Sequence, residues 1–98
     1  MRQIPSSFDI MGHTIEVRFR DDLSDDCECD GRFVAHKNLI ELQTGYSFSY
    51  TLATFWHEAI HAINKHCGLD EIDKDETQVD RLGQGIAQVL RTKKGKAE

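Results

Sequence analysis

Apolar positions along this 98-residue chain follow one period in its first half and another in its second. From Ser6 they alternate: Phe8 and Ile10, then Ile15, Val17 and Phe19, with Met11-Gly12-His13 in between. Alternation is what a strand with one face on a core requires, and two such runs around a glycine predict a β-hairpin with strands over 6–11 and 14–20. A second pair of short apolar runs, Arg32–His36 and Leu39–Gln43, flanks Lys37-Asn38. It predicts a second hairpin, with Phe33, Leu39 and Ile40 or Leu42 on the core. Between the hairpins, Asp21–Asp30 reads DDLSDDCECD, six acids in ten residues. So charged a run is expected to be a solvated surface loop, neither strand nor helix.

The second half takes helical spacing. Trp56, Ile60, Ile63 and Cys67 stand at i, i+4, i+7 and i+11, the apolar stripe of a helix over Tyr50–Cys67. Ser47, Ser49 or Thr51 is available to cap its start, and Gly68 is placed to end it in a left-handed conformation. After the acidic turn LDEIDKDE a second helix is expected from about Asp75 to Arg91, capped by Asp73 or Asp75. Its stripe would be Val79, Leu82, Ile86 and Val89 or Leu90. Residues 1–5 read as a loose start and 93–98 as a flexible basic tail, so that 1–92 hold a single domain. The expected fold class is α+β: a small antiparallel sheet of two β-hairpins packed on two helices.

Charge and cysteine content narrow the function. A net charge of −5 argues against a nucleic-acid-binding surface. No apolar run approaches a membrane span, and MRQIPSSFDI lacks the apolar core of a signal peptide. Three cysteines are an odd number, and Cys27 and Cys29 stand too close for a relaxed bridge, so free thiols in a cytoplasmic protein are expected. Asp26, Glu28, Asp30 and Gly31 match the opening of an EF-hand loop, but its last position would be Lys37 and no helix leads in. A solvated loop remains the preferred reading there.

The chemistry concentrates in the first helix, at HEAIH. Successive helical residues step by about 100°, which sets His61 about 40° from His57 and Glu58 about 100° from it. Two imidazoles one turn apart on a stiff scaffold, with a carboxylate leaning over the same side, is the arrangement that zinc hydrolysis needs. A third ligand must come from elsewhere. His66, nine residues past His57, points about 180° away; His13 and His36 read as lone turn or strand histidines. Glu76 is better placed, near the start of the second helix and on one face with Asp80, Gly83 and Ala87. The two small residues allow that face to approach the first helix closely, and Asp80 is positioned to accept a hydrogen bond from a ligand imidazole. Glu71 and Asp75 sit in or before the turn and are weaker alternatives.

HEAIH followed by ETQVD resembles the gluzincin zinc peptidases, with HExxH and a downstream ExxxD. The β-rich front half and two helices resemble the minigluzincins and, more closely, the short metallopeptidase-like proteins of bacteriophages and prophages. The likeness runs through GHTIEVRF, HEAIHAI and ETQVDRLGQGIAQVL. It implies one zinc ion per chain held by His57, His61 and Glu76, with Glu58 as general base and Asp80 behind a ligand histidine. It also implies hydrolysis of a peptide or protein substrate, with no nucleic acid or membrane as partner. Tyr46 and Tyr50 are the phenols near enough to assist an oxyanion. The alternative reading keeps the zinc site but makes the protein a catalytically latent binding or regulatory module.

Overall fold

The first turn is made by two residues with positive φ, Met11 at 50° and Gly12 at 82°. Paired positive φ angles twist the chain in the sense that two antiparallel strands need. They join β1 (Ser7–Ile10) to β2 (His13–Arg20), with Phe8 opposite Ile15. The computed structural model of the chain describes residues 4–95 and 97. Residues 1–3 of the expected loose start lie outside them. Ile4, expected to be part of that start, is instead 7 % exposed and packs in the core beside Ile15 and Val17. Phe19, by contrast, stays 44 % exposed.

The acidic run is not a loop. It contains a short helix, α1 (Leu23–Cys27), for which the lone apolar residue of the stretch is responsible: Leu23 is fully buried. The Ser24 N–H donates to Gln43 Oε1 at 2.8 Å, and Gln43 Nε2 donates to the Asp21 carbonyl at 2.8 Å. Cys27 and Cys29 are joined as a disulfide, not held as two free thiols; Cys67 is free and exposed.

Beyond α1 the chain runs out to an edge strand, β3 (Gly31–Val34), turns through a 3-10 turn at Ala35–Lys37 and a left-handed Asn38, and returns as β4 (Leu39–Gln43). The strand order is β1-β2-β4-β3. β3 and β4 are antiparallel, but β4 lies parallel to β2, with Val17 opposite Ile40. The sheet is therefore mixed, and the expectation of a purely antiparallel one is corrected. The crossover through α1 and β3 is long enough to bring the chain back in the same direction, which a tight hairpin cannot do. Leu39–Gln43 is consequently a central strand.

Ile40 and Leu42 are fully buried on the helix side of β4. Glu41 points to the other side, where Arg32 Nε donates to it at 2.7 Å and Arg20 Nη1 at 3.2 Å. Asp26 of α1 bridges the same two guanidinium groups at 3.1 and 3.2 Å.

The long helix, α2 (Phe48–Cys67), is capped by Ser47, whose Oγ accepts from the Tyr50 N–H, and ends at Gly68 with φ 71°. Its sheet-facing residues are Leu52, Phe55, Ala59 and Ala62; the expected stripe is only partly right, since Cys67 is exposed. A short α3 (Asp70–Asp73) follows, then α4 (Glu76–Thr92), capped by Asp75. α4 packs mainly on α2, which therefore lies between the sheet and α4. Its buried residues are Val79, Gly83 and Ala87, whereas Leu82 and Val89 of the expected stripe are exposed. Of the expected basic tail, Lys93 leaves the helical conformation; Lys96 and Glu98 lie outside the described residues. No helix among the described residues is long and apolar enough to cross a membrane.

Candidate metal centre

Two glycines let the site assemble. A Cβ on Gly83 would stand 2.8 Å from the His57 backbone nitrogen and 3.1 Å from its Cα, closer than real Cβ atoms come, so only glycine lets α4 lie this close to α2. On the opposite flank, a Cβ on Gly31 would meet Thr54 Cγ2 at 2.6 Å and Glu58 Cγ at 3.4 Å, so β3 can lie directly over α2. Between β3 and α4 runs a cleft of about 580 Å³ that exposes His57 and Glu58 at its α2 wall, with Tyr50, Asp80 and Arg91 farther round its lining.

At the cleft's end, His57 Nε2 lies 3.0 Å from Glu76 Oε2 and His61 Nε2 lies 3.1 Å from Glu76 Oε1. One donor atom from each of the three falls within 4.8 Å of the others. The two histidines are mostly buried, their rings 5.0 Å apart edge to face, while the Glu76 side chain is 67 % exposed. Behind the imidazoles stand two more carboxylates. Asp73 Oδ1 is 2.7 Å from His61 Nδ1, and Asp80 Oδ1 is 3.4 Å from His57 Nδ1. Asn64 Nδ2 also donates to Asp73, at 3.4 Å. A histidine whose Nδ1–H is donated to a carboxylate presents an unprotonated Nε2. Both Nε2 atoms face the oxygens of Glu76, so one cation placed among them would be shared by all three side chains. Three such donors within 4.8 Å of one another could hold a metal ion once drawn in to coordination distance.

Glu58 is buried between β3 and α2. Burial pushes its carboxyl above the ordinary range; the neighbouring imidazoles pull it down, Glu76 pushes it up, and the Phe33 backbone amide lowers it. It makes no approach to Glu76 of the kind the histidines make.

Tyr46 and Tyr50 both donate to Asp30, Tyr46 at 2.8 Å. That bond, with burial, pushes the Tyr50 phenol up to about 12, and the same carboxylate raises Tyr46. Asp30 is held below the usual carboxylate range by the two hydroxyls, Tyr50 foremost. With Asp26 turned to the arginines and Asp30 to the tyrosines, the acidic segment has no convergent set of oxygens for calcium. His66, expected as a surface side chain, is half-buried: it stacks on His13 at 4.1 Å between ring centroids and lies 2.8 Å from Asn38 Oδ1. Burial and His13 both lower its pKa.

Asp73, read from the sequence as a possible helix cap, and Asp30, read as part of the acidic run, take roles here that the sequence reading did not give them. For Asp73 the available signal was a carboxylate three residues before Glu76, but it was indistinguishable from a helix cap. Comparison of the chain with protein-family models, with curated proteins and with solved structures finds no match.

Proposed function

We propose that the chain is a zinc-dependent peptide hydrolase of gluzincin type, with His57, His61 and Glu76 as the ligands of one zinc ion. The observation that carries this reading is the pair of imidazole Nε2 atoms, backed at Nδ1 by Asp73 and Asp80, turned together onto one carboxylate. When bound, the metal supplies Lewis acidity, polarising a carbonyl and making water a competent nucleophile near neutral pH. Glu58, not needed as a ligand, takes the proton from water in the cleft and returns it to the leaving amine. Its burial keeps that carboxylate away from bulk solvent and hence oriented. The free strand edge beside the cleft belongs to β3, Gly31–Val34; an extended substrate pairs there through its backbone. The spacing of HEAIH and ETQVD supports the same reading.

One observation favours the alternative of a latent metal-binding module. Both phenols that were expected to assist an oxyanion donate to Asp30 instead. Metal analysis and peptide cleavage decide between the readings. The wild type is expected to hold about one zinc per chain and Glu76→Ala to lose it. Glu58→Gln is expected to keep the metal while cleavage of a peptide library falls by about 10²–10⁴-fold. Full activity in Glu58→Gln would refute the mechanism. Metal in both proteins with cleavage in neither would establish the latent module.

A further inference from the structure

The two faces of α4 differ in the size of their residues. Toward α2 stand Val79, Gly83 and Ala87, all buried. Away from it stand Leu82, 48 % exposed, and Val89, 65 % exposed, with Ile86 and Leu90 half-buried at the border of the α2 contact. Together with Gly85 and the stem of Arg81 they outline a shallow apolar groove along the outside of the helix. Leu82 and Val89, two turns apart on one line, leave this groove with no partner among the described residues of the single chain.

The charges indicate what covers it. With about 100° per residue, the two cap residues of α4, Asp75 and Lys93, fall on the same line as Leu82, Ile86 and Val89. The stripe is thus closed by an acid at one end and a base at the other. Lys94 follows Lys93 at the basic end. Such a strip complements itself when turned end for end, whereas a parallel copy would set like charges together.

We propose that α4 pairs antiparallel with α4 of a second copy of this chain, forming a two-fold symmetric dimer. An axis crossing near Gly85 sets Leu82 of one copy against Ile86 and Val89 of the other and brings Asp75 toward Lys93. A Cβ at Gly85 would meet nothing within 4 Å in the single chain, so a glycine there leaves room for the second helix to come close. In such a two-fold interface each contact occurs twice. The 17 residues of α4 span about 25 Å. A strip one helix wide and that long covers less than the roughly 800 Å² per partner of a standard interface, so the proposed dimer is sought as a concentration-dependent one. The metal-binding side of α4 faces the other way, which leaves both clefts open and makes the pairing independent of metal.

Sedimentation velocity on the full 98-residue chain, from about 1 to 300 μM, tests this. The wild type is expected to shift from monomer to dimer across that range. Leu82→Glu combined with Val89→Glu is expected to weaken association at least about 100-fold with an unchanged circular dichroism spectrum. Lys93→Glu with Lys94→Glu, which leaves every apolar residue in place, is expected to weaken it about tenfold at low salt and less at high salt; it decides the matter should the first variant misfold. A wild type that stays monomeric throughout overturns the proposal and leaves the stripe to a different protein. A dimer indifferent to both variants overturns it as well.

Discussion

Gly83 and Gly85 stand two residues apart on α4 and should respond in opposite ways to the same substitution. At Gly83 an added methyl meets the His57 backbone, which has no rotamer to change, so the helices must separate. Gly83→Ala is therefore expected to destabilise the fold by about 1–3 kcal/mol, the usual range for overpacking, even though alanine favours the helix. At Gly85 the methyl meets nothing, and Gly85→Ala is expected to stabilise by up to about 1 kcal/mol through helix propensity alone. Denaturant unfolding of both variants, at a concentration too low for self-association, checks the pair. Equal effects would show that α4 does not lie this close to His57. On the proposed function, Gly83→Ala also weakens zinc uptake, since Glu76 travels with α4.

At the scale of the elements, the solvent side of the sheet is organised by Glu41 with Arg20 and Arg32. Burial alone would raise the Glu41 carboxyl, but the guanidinium groups of Arg32 and Arg20 outweigh it and lower the pKa in the folded chain. A carboxyl depressed by folding contributes stability that is complete above its unfolded pKa, about 4.3 for Glu, and is lost as pH falls through the depressed value. Acid titration of stability should show that loss, and Glu41→Gln should flatten it at a cost of about 1–3 kcal/mol at neutral pH. Unchanged acid dependence in Glu41→Gln would contradict the assignment. This cluster also shows where sequence reading stops. HEAIH and the Gly68 stop were legible because each is decided within a few residues, whereas Ser47 was one of three caps left open with Ser49 and Thr51. The parallel pairing of β2 with β4 was not, because alternation reveals which face is apolar and says nothing about which strand lies next door. Leu23 looked incidental among acids, yet its burial folds α1. Of the stripe expected on α4, Val79 is buried, but the close approach at Gly83 centres the contact on small residues and leaves Leu82 and Val89 exposed. Asp73 could be told from Asp70, Glu71 and Asp75 only once α3 had set its direction.

For the molecule as a whole, the proposed metal ties α2 to α4 across a contact made otherwise by small side chains. A ligand present at 100 times its dissociation constant stabilises the folded state by about 2.7 kcal/mol, which in a domain of this size raises the melting temperature by on the order of 10–20 °C. A chelator is expected to remove that increment, and His61→Ala to melt at the same temperature with or without it. Identical wild-type curves in both conditions would count against a tightly held ion. The chain's single tryptophan gives this joint an optical signal. Trp56 precedes His57, its backbone lies against Gly83, and its indole Nε1 is buried without a hydrogen-bond partner among the described residues. An indole whose N–H is buried emits at shorter wavelength than one in water, so emission that reddens before the β-sheet melts is the expected sign of α4 lifting away; emission unchanged until the sheet melts would count against it. Every molecule of this protein therefore reports the closure of its two helices in its own fluorescence, with no label attached.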